Sequence, residues 1–148
     1  RYMKMIEQDT IKLLRECDAG IKMGVSAIDD VLNDVSEVSL KHRLGKCKNE
    51  HIKLKDEIQD LLDQYHDDGK EPNLIAEGMS WMKTNAKMMM DPSDATIADL
   101  MTDGCNMGVK SLSRYLNQYA AADERSKDCA KRLIRMESDL STDLRSYL

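Results

Sequence analysis

The sequence contains no phenylalanine, only one tryptophan and two prolines, and aromatic residues make up 4% of its 148 residues. Eleven methionines carry much of the apolar volume instead, which favours helices because sheets depend on aromatic and β-branched side chains. With 41% hydrophobic and 33% charged residues, the chain is neither collagen-like, low-complexity nor wholly disordered. The composition predicts an all-α domain of ordinary size.

The chain also lacks the features that direct a protein to membranes or to nucleic acids. No apolar run approaches the roughly 18 residues of a membrane span, and no basic segment followed by an apolar stretch opens the sequence. The formal net charge is −5, with Lys and Arg dispersed among the acids rather than gathered in one patch. We therefore expect no membrane partner, no nucleic-acid partner and a cytoplasmic location.

Sequence motifs of common enzymes are missing as well. There is no G-x-S-x-G, no glycine-rich phosphate loop and no H-E-x-x-H, so hydrolytic and nucleotide-dependent reactions have no support. The four cysteines, Cys17, Cys47, Cys105 and Cys129, lie far apart without a C-x-x-C pair. We expect reduced, buried thiols and no enzymatic activity.

Apolar residues recur with a 3.6-residue period along most of the chain. They predict helices at about 2–33, 36–67, 73–90, 93–120 and 123–147. Gly69 and Pro72 separate the second helix from the third, which is short and would return the chain along the bundle. Two antiparallel hairpins joined by this long crossover make a single four-helix bundle spanning residues 1–148.

An internal repeat relates the two hairpins. A shift of 84 positions places six residues of the first helix on identical residues near its counterpart's centre: Gly20, Met23, Gly24, Val25, Leu32 and Asn33 match Gly104, Met107, Gly108, Val109, Leu116 and Asn117. Each hairpin thus contains a G-x-x-x-G pair. We interpret these glycines as sites of close helix approach rather than as ligand contacts.

The chain resembles the ferritin-like superfamily, in particular its small bacterial four-helix bundles. The resemblance covers nearly the whole chain and rests on residues 13–20, on Glu50-His51-x-x-Leu54-x-x-Glu57-Ile58, on residues 78–83, and on Asp103-Gly104 with Leu112-x-x-Tyr115-Leu116. It implies a ferritin-like antiparallel bundle with one long crossover.

Active members of this superfamily hold two metal ions with glutamates from two helices and a Glu-x-x-His from each of the others. Four of the six ligand positions implied by the resemblance hold other residues, namely Ile21, Lys53, Cys105 and Leu140. Only Glu50 and Glu137 remain. A di-iron oxidase or ferroxidase is disfavoured, because two carboxylates leave two cations under-neutralised.

Two interpretations of the middle of the bundle stay open. The candidate metal ligands are Glu50, His51, Cys105 and Glu137, and a register shift of one residue would turn His51 rather than Glu50 inward. Imidazole, carboxylate and thiolate together suit one transition-metal ion such as zinc or copper. The other interpretation is a hydrogen-bonded His51–Glu137 pair left from an ancestral site, with no cofactor bound.

The crossover is unusually apolar for a connection. Met79, Trp81, Met82 and Met89 predict a partner-binding surface, since methionine and tryptophan are typical of adaptable interfaces. We expect a homodimer formed through this helix; the alternative is that the apolar side chains wrap into a groove of the bundle. The resulting hypothesis is a non-enzymatic ferritin-like bundle acting through self-association or protein contact, and its alternative is a metal-binding or redox protein with a single mid-bundle metal ion.

Overall fold

The computed structural model describes residues 2–72, 82 and 84–148. These residues form four long helices and one short helix, α1 (Tyr2–Val31), α2 (Val38–Asp63), α3 (Ala86–Met90), α4 (Asp94–Gln118) and α5 (Glu124–Leu144). Short 3-10 helices follow α1 at Leu32–Asp34 and α5 at Arg145–Tyr147. No strand occurs among the described residues, which confirms the predicted all-α class.

The helix ends differ from the predicted positions by a few residues for local reasons. α2 ends at Asp63, because the chain turns there: the Asp67 N–H donates to the Leu62 carbonyl at 3.1 Å, and His66 has a left-handed φ of 54°. The helix predicted over 73–90 is described only at Ala86–Met90. The prediction is wrong at Met82, Thr84 and Asn85, because the chain turns there and enters the short helix through extended backbone at Asn85. Residues 73–81 and 83 lie outside the described residues.

Contacts near the helix ends fix the direction of α4. At one end of the bundle, the Glu37 N–H donates to the Asp94 carboxylate at 2.9 Å, so α4 begins beside the α1–α2 turn. At the other end, the Thr10 hydroxyl accepts the Asp123 N–H at 2.9 Å. α4 is therefore antiparallel to α1, and the chain from 64 to 93 leads from one end of the bundle back to the other.

Ion pairs between α2 and α5 show that these helices are antiparallel too. Arg43 Nε lies 2.6 Å from Asp143 Oδ2 toward one end, and an Arg132 nitrogen donates to both carboxylate oxygens of Glu57 at 2.9 Å toward the other. Pairs this exposed contribute little stability one by one. The stability of the bundle comes chiefly from its apolar core.

The core consists of two apolar clusters, one toward each end of the bundle. The cluster near the α1–α2 turn includes Ile28, Leu44, Met101 and Leu140, and the other includes Leu14, Ile58, Leu112 and Leu133. Between the clusters, each long helix places one glycine or polar residue: Gly24, His51, Gly108 and Glu137. We call these four residues the mid-bundle layer.

Gly45 offers a simple test of the α2 assignment. A Cβ at this position meets no atom of the described residues within 4 Å. We expect Gly45→Ala to raise the free energy of unfolding by about 0.5 to 1 kcal/mol, because glycine loses more backbone freedom than alanine inside a helix. Urea denaturation measures the change, and a destabilised variant would contradict the open surroundings of Gly45.

Candidate functional site

The mid-bundle layer joins α2 to α5 through one side-chain pair. His51 is 1% exposed, and its Nε2 lies 3.4 Å from Oε1 of Glu137. Its other ring nitrogen, Nδ1, lies 2.8 Å from the Cys47 carbonyl one turn earlier on α2. A carbonyl only accepts hydrogen bonds, so Nδ1 carries a proton and Nε2 is the nitrogen that faces the carboxylate.

The two glycines of the layer make room for this pair. A Cβ at position 24 would lie 3.2 Å from the His51 ring, and a Cβ at position 108 would lie 3.4 Å from the Glu137 carboxyl carbon. Gly20 has an ordinary neighbour instead, Leu133 at 3.8 Å. The G-x-x-x-G pairs were predicted to allow close helix approach. At Gly24 and Gly108 the close neighbours are the side chains of His51 on α2 and Glu137 on α5.

The pair is charged at neutral pH. Burial by itself lowers the pKa of His51, but hydrogen bonds to Cys47 and Glu137, together with their electrostatic attraction, outweigh burial and raise this pKa to about 10. His51 is therefore an imidazolium that donates from both nitrogens, and Glu137 is its counter-ion. The proton on Nε2 occupies the position where a metal ion would bind.

Two thiols adjoin the pair. Cys47 Sγ lies 3.4 Å from Nδ1 of His51, and Cys105 on α4 is 3% exposed. Burial, followed by the charge of Glu137 and a hydrogen bond to it, raises the pKa of the Cys105 thiol above its ordinary value. Cys105 is accordingly a neutral thiol at neutral pH, and it is a poor metal ligand or nucleophile in that state.

Four potential ligand side chains thus lie near one another in the middle of the bundle. Within the described part of the chain, no group of three or more His, Cys, Asp or Glu side chains has an arrangement that could hold a metal ion. A metal would have to displace the Nε2 proton of His51 and deprotonate a buried thiol. The hydrogen-bonded His51–Glu137 pair is the arrangement that the structure contains.

Glu50 does not join this cluster. Its side chain is 42% exposed, and its Oε1 lies 4.0 Å from Lys46 Nζ on the outer face of α2. Adjacent residues of a helix point about 100° apart, so the inward position of His51 turns Glu50 toward solvent. Of the two register alternatives, the structure has the one that buries His51.

The four residues predicted to bind a partner differ in exposure, and two of them are not described. Met79 and Trp81 lie outside the described residues. Met82 is fully buried in the cluster near the α1–α2 turn, which corrects its assignment to a partner-binding surface, because an apolar side chain gains most by packing into the chain's own core. Met89 is 74% exposed.

A cavity of about 340 Å³ lies between α1 and α4, and the His51–Glu137 pair forms part of its lining. Small residues of both helices line it as well, among them Ala19, Gly20 and Gly24 of α1 and Gly104, Gly108 and Ser111 of α4. Met23, Met101 and Met107 add flexible apolar walls. The glycines that the repeat singled out therefore border an open space in addition to admitting neighbouring side chains.

Sequence reasoning missed the role of Asp18. This residue is 0% exposed, and its Oδ2 accepts the Lys70 N–H at 3.0 Å and lies 2.7 Å from Lys22 Nζ. It ties the start of the crossover to α1. The sequence did hold a signal. Asp18 lies on the apolar face of α1 between Leu14 and Ile21, and a carboxylate is buried on such a face only when a fixed partner compensates its charge.

Comparisons with known proteins found no similar protein. No family model, no curated protein and no solved structure matches the chain. Among the described helices, none is long and apolar enough to cross a membrane. The functional argument therefore rests on the mid-bundle layer and on the cavity beside it.

The buried thiols give a prediction about reactivity. All four cysteines are free and buried. Burial raises the pKa of the Cys17 thiol above its ordinary value and raises the pKa of the Cys129 thiol to about 11. We expect none of them to react with Ellman's reagent in the folded chain at about pH 8, because the reagent cannot reach a buried sulfur, and all four to react once the chain is unfolded in guanidinium. Rapid labelling of the folded chain would contradict this burial.

Proposed function

We propose that this chain is a non-enzymatic, ferritin-like helical bundle that acts by binding, and that the cavity between α1 and α4 is its binding site. The observation that carries the proposal is a cavity of about 340 Å³ whose polar lining includes a buried ion pair already satisfied within the chain. This volume is typical of small-molecule sites. A satisfied pair can orient a ligand, but it supplies no free base or nucleophile.

The ferritin-like part of the proposal is supported by two helical hairpins and a connection that runs from one end of the bundle to the other. The metal positions implied by the resemblance speak for binding rather than catalysis. Ile21 and Leu140 are buried apolar side chains there, and His51 with Glu137 forms an ion pair. Such a layer replaces metal ligation by packing and one hydrogen-bonded pair.

The lining favours an uncharged, largely apolar ligand. Both carboxylates at the cavity already have a cation, Glu137 through His51 and Glu16 through Lys70 Nζ at 2.6 Å. A charged ligand would add an unpaired charge to a partly buried space, which is costly. The thioethers of the surrounding methionines suit ligands of irregular shape, because their side chains adjust at little cost.

A fluorescent probe tests this site. N-phenyl-1-naphthylamine, which is apolar and uncharged, should bind the folded chain with increased emission. Ser111→Leu adds a large side chain to the cavity wall and should abolish binding, whereas Gly45→Leu adds the same side chain on the outer face of α2 and should leave binding unchanged. Absent binding, or equal binding by both variants, would contradict the proposal.

A single transition-metal site is the second candidate. It is favoured by the proximity of Cys47 to His51 and of Cys105 to Glu137, since imidazole, thiolate and carboxylate suit zinc or copper. Elemental analysis of purified chain, followed by zinc titration, tests it. Stoichiometric zinc that is lost in His51→Ala/Glu137→Ala would favour the metal site over the ion pair.

Self-association through the crossover has less support from the structure than from the sequence. Met89 and its neighbour Met90 are 74% and 87% exposed, and two methionines on a five-residue helix make a small apolar area. Light scattering of wild type and Met89→Asp tests this interface. A dimer that dissociates in the variant would support it.

A further inference from the structure

The outward face of α2 carries its charges in two blocks. Its first half is mainly basic, although Glu50 beside Lys46 is an acid on the same face, and its second half is acidic. The residues concerned are Lys41, Lys46 and Lys53 in the first half and Asp56, Asp60 and Asp63 in the second. All six residues are exposed, and their spacing places them on one side of the helix. We call these six residues the α2 charge stripe.

This order is the reverse of what an isolated helix favours. The helix macrodipole stabilises acids near the N-terminus and bases near the C-terminus, yet α2 has no acid in its first turn and no base in its last. The arrangement therefore gains nothing from the helix that carries it. An opposite charge on a neighbouring helix would stabilise it instead.

α5 is such a partner for the flank of α2 that faces it. Arg43 in the first half of α2 pairs with Asp143 in the second half of α5, and Glu57 in the second half of α2 pairs with Arg132 in the first half of α5. Among the described helices, none pairs with the α2 charge stripe in this way. Lys53, Asp56, Asp60 and Asp63 have no ion-pair partner in the described part of the chain, and Lys46 has only Glu50 at 4.0 Å.

We propose that a second copy of this chain binds the α2 charge stripe. The two α2 helices would be antiparallel, and the two-fold axis would cross them at the level between residues 54 and 55. In this register Lys53 lies opposite Asp56 of the partner subunit, and Lys46 lies opposite Asp63 of the partner subunit. Two-fold symmetry repeats each pair. The proposal is independent of the cavity, which lies between α1 and α4.

The surface shape agrees with this register. A shallow groove of about 750 Å³ surrounds Gly45 on the outer face of α2, where a Cβ would meet no described atom within 4 Å. The same register brings Gln64 of the partner subunit opposite Gly45. A missing side chain on one helix thus faces a long polar side chain on the other, which lets the two helices approach.

The expected dimer is weak and sensitive to salt. Exposed ion pairs contribute little each, and complementary charge acts more on specificity and association rate than on affinity. Raising salt from about 10 mM to about 1 M shortens the Debye length from roughly 30 Å to roughly 3 Å. We expect the dissociation constant to rise at least tenfold over this range.

A charge swap tests the proposal by sedimentation at low salt. Wild type should approach twice its chain mass of 16.9 kDa as its concentration rises. Lys46→Glu/Lys53→Glu puts two negative charges at each of the proposed pairs, and Asp56→Lys/Asp63→Lys puts two positive charges there, so each variant alone should be monomeric. An equimolar mixture of the two should form a heterodimer, because opposite charges then meet in both halves.

Controls separate this interface from other causes of association. Lys110→Glu/Arg114→Glu reverses two exposed charges on α4 and should leave the dimer unchanged, and circular dichroism should show every variant folded. A wild type that stays monomeric overturns the proposal. So does a mixture that fails to associate, a control that dissociates as readily, or a dimer that survives the swap and is lost in Met89→Asp.

Discussion

Glu137→Leu is expected to lower the free energy of unfolding by about 3 to 5 kcal/mol at neutral pH, because it removes the counter-ion of a buried imidazolium. His51 must then release its proton or remain charged without a partner. Urea denaturation measures the loss. Glu50→Leu is the matched control: this side chain is 42% exposed, and its replacement should change stability by less than about 0.5 kcal/mol.

The same pair predicts how stability changes with pH. The pKa of His51 rises from 6.5 to about 10 on folding, so the folded chain holds this proton more tightly than the unfolded chain does. The contribution of the pair is fully present below about pH 6.5 and is lost as the pH rises through about 10. The stability difference between wild type and Glu137→Leu should therefore shrink between about pH 7 and pH 10.

A double variant separates the unpaired charge from lost packing. His51→Leu/Glu137→Leu replaces both partners by apolar side chains and should recover most of the stability lost in Glu137→Leu, since a buried ion pair is seldom better than well-packed leucines. A double variant at least as unstable as Glu137→Leu would show that packing around Gly24 and Gly108, rather than charge, governs the layer. An equal loss in Glu50→Leu and Glu137→Leu would contradict the ion pair itself.

The helices could be predicted from the sequence because each long stripe repeats its signal many times. Apolar residues such as Leu14, Ile21 and Ile28 mark one face of α1, and a misplaced residue barely alters a pattern of this length. The order of hairpin, connection and hairpin followed from the same signal. The His51–Glu137 pair was one of two alternatives, because counting residues from the two predicted turns placed both near one level of the bundle.

The choice between His51 and Glu50 could not be made from the sequence. A difference of one residue is a turn of about 100° on a helix, which is within the error of counting from an uncertain turn. The hydrogen bond from the Lys70 N–H to Asp18 was also beyond reach, since 52 positions separate these residues and no local pattern links them. Helix faces are local properties, whereas these contacts depend on how the helices are placed together.

Gly69→Ala is expected to lower the free energy of unfolding by about 2 to 4 kcal/mol. Gly69 has φ +88°, a conformation that costs an L-residue about 1 to 2 kcal/mol. A Cβ there would also overlap Oδ2 of Asp18, the oxygen that accepts the Lys70 N–H at 3.0 Å and pairs with Lys22 at 2.7 Å. Asp18 is fully buried, so it moves away only by breaking these contacts.

Two comparisons identify the source of that loss. Gly20 lies within α1, and Gly20→Ala places a Cβ at 3.8 Å from Leu133 of α5. This variant should be neutral or slightly stabilising, because both the φ of Gly20 and the space around it are ordinary. In an Asp18→Ala background, Gly69→Ala should cost only the backbone strain of about 1 to 2 kcal/mol, so the two losses should not add. Thermal unfolding measures all four variants. Additive losses would mean that Asp18 does not hold the start of the crossover through the backbone next to Gly69.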